Sequence, residues 1–336
     1  MKIDFVVLWV DGNDASWLDS FNFHRSKQYP LSPGIDKERF RDMNILKYLF
    51  RSFEKYSPWV NNIHFVTCGH YPDWLDVSNP KIKLVKHSDF IPASYLPTFN
   101  STTIEMFLNR IPGLSEYFVY FNDDMFLNSP VMPSFFFIDN KPCDFISVAP
   151  NIETDLSSYP YGAMMHSVLT LVNSISTPKK VVRENFSKYF NVKYGIKRNI
   201  KNLYGLVWWG FLGFELTHSP QAFTKKTFES VWGNFDAYLS FSARSKFREP
   251  SNISQYLFRF YQLVTGNFSA VSPKNRSVFY NLTTHNLPAA LTSLTEGDVP
   301  LICLNDSEKI DDFEFITSSL VEVFRVKFPE KSSYEL

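Results

Sequence analysis

Residues 117–127 read YFVYFNDDMFL, and this stretch decides how the fold is interpreted. A run of aromatic and β-branched residues stops at the polar triplet NDD (122–124), and an apolar segment follows at once without a glycine. A near-continuous apolar run is typical of a strand that is covered on both faces. Residues 3–10 (IDFVVLWV) form a second run of this kind, which ends in the polar residues DGND (11–14). Both stretches therefore predict buried strands with carboxylates at their carboxyl ends.

Helical and strand patterns alternate around these two strands. The first half is predicted to contain helices over residues 42–56 and 102–110 and strands over residues 63–67 and 82–86. Asp42 is the candidate N-cap of the first helix, and Thr102 with Glu105 fits a capping box at the second. Such alternation predicts an α/β fold with a mostly parallel, Rossmann-like sheet. Functional sites in these sheets lie beyond the carboxyl ends of the strands.

The second half, from about residue 150, is less regular and richer in helix patterns. Helices are predicted over residues 163–176, 179–190, 222–232, 252–264 and 311–328. The basic and polar segment 192–204 is predicted to be an exposed loop or lid. We expect a single catalytic domain over residues 1–305, followed by a C-terminal helix and tail over residues 306–336.

The composition excludes several classes of protein. Lys and Arg (34) balance Asp and Glu (34), so no general basic field would hold a nucleic acid, and no nucleic-acid partner is expected. No stretch approaches the roughly 20 apolar residues of a transmembrane segment, and the N-terminal apolar run is too short for a signal peptide. The motifs of P-loop proteins, simple dehydrogenases, α/β-hydrolases and zincins are absent from the sequence. These features predict a cytoplasmic protein.

The triplet NDD is the strongest candidate for a metal site. Asp123 and Asp124 supply carboxylate oxygens, which Mg²⁺ and Mn²⁺ prefer as ligands. Nucleotide-sugar transferases with a parallel α/β sheet use a short acidic motif in this position, where the metal neutralises a diphosphate. The alternative is an ordinary turn, because Asn and Asp are common turn formers. The apolar context on both sides of the triplet favours a functional site.

Arginine and histidine side chains are the other candidates. Arg39 and Arg41 precede a predicted helix, where guanidinium groups and helix amides could bind phosphate oxygens, and a salt-bridged surface pair is an equal alternative. His218 follows an aromatic stretch and could act as a general acid or base, although His87 fits that role equally well by its position. Arg248 could neutralise transition-state charge, but its spacing alone favours a plain surface charge.

Several stretches between residue 3 and about residue 265 carry a family resemblance. They are IDFVVLWVDGND, RFRDMNILKYLFRSFEKYSPWVNNIHFVT, HSDFIP and LPTFNSTTIEMFLNRIPGLSEYFVYFNDDMFL, with looser matches at THSPQAFTKKTFESVW and FREPSNISQYLFRFYQL. Together they resemble the Stealth family of bacterial capsular polysaccharide sugar-phosphate transferases, which are related to the animal lysosomal-enzyme N-acetylglucosamine-1-phosphotransferase. Carried over by motif, the active-site positions of the family fall on Asp11, Gly12, Asn13, Arg39, Arg41, Asp42, Asn122, Asp123, Asp124, His218 and Arg248.

The resemblance implies a reaction and its partners. A hexose 1-phosphate would pass from a nucleotide sugar, with a UDP-sugar the expected donor, to a hydroxyl of a polysaccharide or of a lipid-linked oligosaccharide. The product would be a phosphodiester in a capsular or surface polysaccharide, and a nucleoside monophosphate would leave. The fold implied is similar to that of nucleotide-sugar glycosyltransferases. The implied location is the cytoplasm, where segment 192–204 and the C-terminal helix are compatible with peripheral contact at the inner face of the bacterial membrane; a solvated surface is the simpler interpretation.

The resemblance also implies roles for the site residues. Asp123 and Asp124 would hold Mg²⁺ or Mn²⁺, and Arg248 would stabilise the extra phosphoryl charge together with Arg41. Either His218 or Asp124 would take the proton of the acceptor hydroxyl, and the sequence leaves this choice open. The remaining residues would bind the substrates: Asp11, Gly12, Asn13, Arg39, Asp42 and Asn122.

Two alternative functions share most of these features. An ordinary metal-dependent glycosyltransferase would attack the anomeric carbon and release a nucleoside diphosphate. A non-catalytic saccharide-binding protein of the same fold would bind sugar without metal dependence. The intact carboxylates and arginines of the site favour an enzyme.

Overall fold

The computed structural model describes residues 1–27, 40–152, 159–306 and 310–336. Within these ranges the strands, β1 to β11 in chain order, are Ile3–Leu8, Ile63–Thr67, Ile82–Lys86, Tyr117–Asn122, Met125–Leu127, Phe137–Ile138, Lys141–Asp144, Gln221–Thr224, Ser269–Ala270, Ser277–Asn281 and Leu301–Asn305. The helices, α1 to α12, are Ala15–Arg25, Leu46–Tyr56, His87–Phe90, Ser101–Met106, Pro133–Phe136, Tyr159–Ile175, Pro178–Tyr189, Ile196–Gly205, Lys225–Ser242, Tyr256–Val264, Leu287–Glu296 and Phe313–Lys327. Arg39 lies outside the described residues, so its part in phosphate binding stays a prediction.

Five strands form the central sheet in the order β3-β2-β1-β4-β8. The first four run parallel, and β8 pairs antiparallel with β4 at the edge. Two three-stranded sheets, β10-β11-β5 and β6-β7-β9, lie outside it. The prediction of an α/β fold with a mostly parallel sheet and a helix-rich second half is confirmed.

The carboxyl ends of β1 and β4 form a crevice at the middle of the central sheet. β2 and β3 lie on one side of β1, and β4 lies on the other side. The last residues of the two strands, Leu8 and Asn122, are paired in the ladder. A reversal of strand order in an open α/β sheet makes the connecting loops diverge and leaves a crevice between them. The polar residues that follow β1 and β4 therefore enter one crevice.

The side chains of β4 pack alternately on the two faces of the sheet. Phe118 and Tyr120 join the apolar cluster that includes α4, α9 and α10, whereas Val119 and Phe121 join the cluster that includes α2 and α12. All four side chains are buried. Because both faces are covered, the strand has the continuous apolar sequence from which it was predicted. The packing also fixes the strand end that carries the NDD triplet.

The predicted N-cap of α2 is wrong. The helix begins at Leu46, four residues after Asp42. The Asp42 carboxylate instead accepts a hydrogen bond of 2.7 Å from the Asn44 N–H, and Asn44 adopts a left-handed φ of 57° that interrupts the helix. The residues around Asp42 are thereby held as a turn beside the crevice.

The predicted capping box of α4 is also wrong. The helix begins at Ser101, and the Asn100 side chain accepts the hydrogen bond of the Thr102 N–H. Asn100 is itself buried and donates to the Asn252 side chain at 2.8 Å. Glu105 consequently makes no cap and points into the protein, where it is buried.

The segment 192–204 is a helix and not a loop. A single 3₁₀ turn, Val192–Tyr194, leads into α8. The helix is anchored by Asn202, whose buried amide donates to the carbonyl groups of Ile146 and Tyr189 and accepts from the Val148 N–H. The polar sequence hid this element because its anchoring residue is itself polar.

The segment predicted as a helix over 222–232 is divided between a strand and a helix. β8 takes residues up to Thr224, whose hydroxyl accepts the hydrogen bond of the Thr227 N–H and caps α9. The other predicted helices of the second half correspond to α6, α7, α10 and α12 within a few residues.

The C-terminal segment packs against the first half of the chain. Phe324 of α12 stacks on Tyr48 of α2 with ring centroids 5.2 Å apart. Beyond the helix, Tyr334 is buried, and Glu335 pairs with Arg51 at 2.6 Å. The domain division at residues 305 and 306 stays a prediction. Among the described residues, no helix combines the length and the apolar character needed to span a bilayer.

Candidate active site

The loop after β1 is folded back on itself at the mouth of the crevice. Asp11 accepts a hydrogen bond from the Asn13 N–H at 2.8 Å, and its own N–H donates to His70 Nε2 at 2.8 Å. Asp14 caps α1 by accepting from the Trp17 N–H at 2.7 Å. Burial lowers the pKa of His70, although the nearby carboxylates oppose that shift. A neutral His70 ring can therefore accept the Asp11 N–H and hold the loop in place.

Gly12 is needed in this loop because another backbone segment passes against it. A Cβ on Gly12 would lie 2.0 Å from the Phe40 carbonyl oxygen. No side chain fits at that separation, so only glycine allows the two segments to approach this closely. The contact brings the turn that contains Arg41 and Asp42 to the edge of the crevice.

Arg41 and Asp42 lie beside the crevice in different electrostatic settings. The Arg41 guanidinium makes a two-pronged ion pair with Asp306, with both nitrogen–oxygen distances 2.5 Å, and covers the Phe313 ring at 4.1 Å. The pKa of Asp42 is raised, first by burial and then by the charge of Asp11. The arginine predicted to bind phosphate is thus already paired with a carboxylate.

Asp123 lies at the centre of a group of carboxylates. Its pKa is raised to about 7 by the loss of hydration among the surrounding protein atoms, and further by Asp124, Asp42 and Asp306. The residue keeps an exposed surface, so its carboxylate lies in the crevice and not in the apolar core. Negative charge of this density needs a positive counterpart when all the groups are ionised.

Asp124 is held by contacts from β11 and lies close to His218. Cys303 of β11 donates its thiol hydrogen to Asp124 Oδ2 at 3.2 Å, and the Leu304 N–H donates to the Asp124 carbonyl at 2.9 Å. His218 Nε2 lies 3.7 Å from the same carboxylate oxygen. The other oxygen, Oδ1, is buried and makes no hydrogen bond with the described residues. A buried carboxylate oxygen without a partner indicates a position for a ligand.

A buried network lies directly behind Asn122. The Tyr120 hydroxyl is 2.5 Å from Asn122 Oδ1 and 3.1 Å from Glu105 Oε1, and the Gln255 N–H donates to the other Glu105 oxygen at 3.2 Å. Burial raises the pKa of Glu105, whereas the charge of Arg248 lowers it. The pKa of Tyr120 is raised well above its usual value, first by burial and then by Glu105. The phenol therefore stays protonated and orients the Asn122 amide.

Arg248 lies on the same side of the crevice as this network. Its guanidinium donates to the Ser101 hydroxyl at 2.7 Å, and its charge acts on both Glu105 and Tyr120. Glu105 therefore provides the compensating negative charge for a guanidinium that is only partly exposed. The arginine predicted from its motif is thus positioned near the NDD triplet.

The donors in the crevice fit a hard divalent cation. Asp124, His218 and Cys303 bring ligand atoms within 4.8 Å of one another, a set that by atom type would suit zinc. Burial, and then the charge of Asp124, raise the pKa of the Cys303 thiol well above its usual range, and a thiol that donates a hydrogen bond is not in the thiolate form that binds metals. The remaining donors are carboxylate oxygens of Asp123 and Asp124, which suit Mg²⁺ or Mn²⁺.

A cavity of about 630 Å³ opens beside His218. Its wall combines the aromatic rings of Tyr161, Tyr256 and Phe279 with the amides of Asn281 and Asn305. The His218 ring meets the Phe279 ring edge-on at 4.9 Å. Aromatic faces together with amide groups are the kind of surface that binds the apolar faces and the hydroxyls of a sugar.

Several residues of the site escaped the sequence analysis. Cys303 lies in β11 and Asp306 follows it, and this late strand has no sequence pattern that links it to NDD. Glu105 and Tyr120 were assigned to a cap and to the core. The only sequence signal for Glu105 was an acid inside an apolar helix pattern, which was explained by the wrong cap. His87, considered beside His218, lies on α3 after β3 and has no contact with NDD among those described.

Comparisons with known proteins give a consistent group of relatives. Residues 39–144 match the family model described as Stealth protein CR2, conserved region 2. The capsular polysaccharide phosphotransferase WcwK of Streptococcus pneumoniae is 40% identical over 336 residues, which are 99% of this chain and 98% of the relative. The receptor polysaccharide phosphotransferase WefC of Streptococcus gordonii is 35% identical over 337 residues (100% and 99%), and the exopolysaccharide phosphotransferase cps2G of Lactiplantibacillus plantarum is 36% identical over 335 residues (99% and 96%).

Solved glycosyltransferase structures are similar at a lower level. The galactosyltransferase LgtC, in complex with donor and acceptor sugar analogues, has a TM-score of 0.41 and 9% identity, with 95% of each chain covered. Mouse xyloside xylosyltransferase 1, in its apo form, has a TM-score of 0.40 and 10% identity, with 91% of this chain and 98% of that chain covered. The fold assignment rests on the strand order and not on this likeness.

Proposed function

This chain belongs to the Stealth family and is a phosphotransferase, and from that premise we propose that it transfers a hexose 1-phosphate from a nucleotide sugar to a saccharide hydroxyl. The observation that carries the proposal is the meeting of Asp124 and His218 beside a cavity of saccharide size. The acceptor is a growing polysaccharide or a lipid-linked oligosaccharide, and a UDP-sugar is the expected donor. The product is a phosphodiester, as in a capsular or surface polysaccharide.

The donor diphosphate lies over the NDD triplet in this proposal. Asp123 and Asp124, whose Oδ1 makes no hydrogen bond with the described residues, would hold Mg²⁺ or Mn²⁺, which would neutralise diphosphate charge when bound. The Asn122 amide and the loop over Asp11, Gly12 and Asn13 position the donor from the two strand ends. Gly12 supports this function because its missing side chain leaves room for the neighbouring turn.

Arg248 and Arg41 have different parts in charge stabilisation. Arg248 is the better candidate for contact with the transferred phosphoryl group, since its charge-balancing Glu105 lies behind it and leaves the guanidinium on the crevice side. Arg41 is engaged by Asp306 through Nε and Nη2. Its proposed role is therefore to hold the wall of the site and to contribute positive charge from there.

His218 is the proposed base, with Asp124 as the group that orients it. The acceptor oxygen attacks the sugar-linked phosphorus and forms a new oxygen–phosphorus bond, while its proton passes to the His218 imidazole. The bond from this phosphorus to the bridging oxygen breaks, and the nucleoside monophosphate leaves with that electron pair. Asp124 is less suited to take the proton, because one oxygen accepts the Cys303 thiol hydrogen and the other is assigned to the cation.

A test of this function measures which nucleotide is released. With a UDP-sugar and an oligosaccharide acceptor, the proposal expects UMP and a ³¹P phosphodiester signal in the product. Release of UDP with a new glycosidic bond would instead establish the alternative, a metal-dependent glycosyltransferase. His218→Asn should abolish UMP release while the protein retains its thermal stability, since the His218 side chain is 37% exposed. Wild-type rates in this variant would reject His218 as the base.

A further inference from the structure

The helix α8 presents large apolar side chains to solvent. Ile196, Ile200, Leu203 and Tyr204 on the helix, with Trp208 and Trp209 in the turn that follows it, are all exposed, and we name these six residues the α8 apolar face. Trp209 is 93% exposed and Ile196 is 80% exposed. Isolated apolar residues on a surface are ordinary, but a contiguous group of this size marks an interaction surface.

The geometry of α8 shows that this face points away from the protein body. At about 100° per residue, Ile196, Ile200, Leu203 and Tyr204 fall within one arc about 100° wide. Asn202 and Gly205 lie on the opposite arc and are buried. A Cβ on Gly205 would meet the Tyr189 hydroxyl at 2.9 Å, so this side of the helix is pressed against the protein. The helix is therefore amphipathic, but its apolar arc faces outward, whereas the apolar arc of a core helix faces the protein interior.

Positive charge lies along one edge of the α8 apolar face. Residues 192–210 contain Lys193, Lys197, Arg198 and Lys201 and contain no Asp or Glu, whereas the whole chain has equal numbers of basic and acidic residues. Lys197 and Lys201 follow the edge of the apolar arc and are exposed. Arg198 and Lys201 approach Glu215 at 2.6 and 3.9 Å, so part of this charge is compensated from the protein side.

We propose that the α8 apolar face docks on an anionic lipid bilayer. An apolar arc flanked by lysines, with tryptophan and tyrosine at its end, is the arrangement of helices that lie in the plane of a membrane interface. The rings and the lysine stems enter the boundary region, while the charged groups remain at the level of the lipid phosphates. The local excess of positive charge complements a surface of negative lipids and not a neutral one.

The docking surface is connected to the proposed reaction site through a short segment. Glu215, which pairs with Arg198 of α8, lies three residues before His218 in the sequence. The Glu215 backbone is fixed as well, since its N–H donates to the Ser147 carbonyl at 2.8 Å and its carbonyl accepts from the buried Arg259. A bilayer on the α8 apolar face would therefore hold the enzyme close to a lipid-linked acceptor. This docking goes beyond the proposed function and does not depend on it.

The experiment measures binding of the full chain to vesicles by cosedimentation. Vesicles of phosphatidylglycerol and phosphatidylcholine should bind the protein, pure phosphatidylcholine should bind it much less, and 0.5 M salt should weaken the binding. The variant Ile196→Ser/Leu203→Ser/Trp209→Ser should lower the partition coefficient more than about tenfold, since each large apolar side chain contributes at least that factor when fully buried. The matched control is Phe241→Ser/Val326→Ser, which removes two equally exposed residues on α9 and α12.

A spectroscopic measurement keeps the test independent of folding losses. Trp208 and Trp209 are far more exposed than Trp9, Trp17 and Trp232, so brominated phosphatidylglycerol should quench a large part of the tryptophan emission. The variant Trp208→Phe/Trp209→Phe should lose that quenching and keep wild-type turnover of a water-soluble acceptor.

Two results would overturn the proposal. One is that the protein sediments equally with anionic and with neutral vesicles, or that it binds neither kind. The other is a dimer in solution that the triple serine variant dissociates without any vesicle binding by the wild type, since the face would then be covered by a second copy of the chain.

Discussion

Removing a single hydroxyl at Tyr120 tests whether the end of β4 is organised from within the core. The phenol is the only described group that links Asn122 to Glu105, at 2.5 and 3.1 Å. Its pKa is far above neutral, so one proton serves two acceptors throughout the working pH range. Tyr120→Phe removes that proton and leaves the ring in place.

The expected magnitude follows from these contacts. The substitution leaves one oxygen of buried Glu105 without its hydrogen bond, which costs about 1–3 kcal/mol of the free energy of unfolding. It also frees the Asn122 amide to rotate in the crevice. A misplacement of about 1 Å in a positioned group can cost about a hundredfold in rate, so we expect kcat/KM to fall between about tenfold and a hundredfold.

The assay compares initial rates of nucleoside monophosphate release with urea unfolding of the same preparations. Tyr117→Phe is the matched control, because Tyr117 lies in the same strand on the other face of the sheet and its ring packs against Phe137. The control should lose neither rate nor more than about 0.5 kcal/mol of stability. The reasoning is refuted if Tyr120→Phe retains the wild-type rate, or if both variants lose the same activity.

Three further predictions concern other contacts. Burial lowers the pKa of His87 to about 4, whereas the pKa in the unfolded chain is about 6.5. The contribution of His87 to stability is therefore fully present above pH 6.5 and is lost as the pH falls toward 4. At pH 5 the wild type should lose about 2 kcal/mol of its free energy of unfolding in this way, and His87→Gln should remove that loss, as measured by urea unfolding. Gly12→Ala should lower the rate more than about tenfold, because its Cβ would displace the Phe40 backbone from a position 2.0 Å away. Arg259→Met should lower the free energy of unfolding, measured in guanidinium, by about 3–5 kcal/mol. The substitution leaves the buried Asp144 carboxylate without the guanidinium that now binds it at 2.8 and 2.9 Å.

Each of these has a matched comparison. His166→Gln, on α6, should leave the acid sensitivity unchanged, and equal loss in the His87 variant and the wild type would contradict the first prediction. Gly233→Ala serves for the second, because a Cβ there meets nothing within 4 Å, and an equal effect of the two alanines would contradict it. For the third, Arg259→Met/Asp144→Leu should recover most of the lost stability; a double variant less stable than the single one would show that no stranded charge was involved.

The central strands could be predicted because each is covered on both faces. Residues 117–122 carry apolar side chains toward two separate clusters, so the sequence has no polar interruption until the strand ends. The same fact located the NDD triplet at a carboxyl end. The alternation of strands and helices predicts a mostly parallel sheet, whereas the pairing of β1 with β4, which joins the triplet to residues 11–13, is seen in the structure.

Two of the wrong predictions concern polar residues that are buried in the protein. Asn202 anchors α8 from inside the protein, and the sequence around it therefore looked like a solvated loop. Glu105 looked like a capping residue, whereas Asn100 takes the cap and Glu105 is buried behind the site. Burial of a polar group depends on partners that are distant in sequence, and local sequence patterns do not reveal those partners.

The pairing of Arg41 with Asp306 belongs to the same class. The two residues are 265 positions apart, and the sequence around each of them does not indicate the other. A sequence motif can show that an arginine stands near a site, but it cannot show which of its nitrogens are already engaged. The structure supplies that distinction and divides the charge-stabilising role between Arg41 and Arg248.

The packing of α12 and the residues beyond it has a consequence for the order of events during synthesis. The core beneath β1 is completed by Phe324, Phe328 and Tyr334, which meet side chains from the first sixty residues. A nascent chain on the ribosome must therefore carry an open apolar face on α2 until residues 313–336 emerge. Such a face exposes the unfinished protein to aggregation and to chaperones until then. Catalytic competence would then appear only once these residues are free of the exit tunnel.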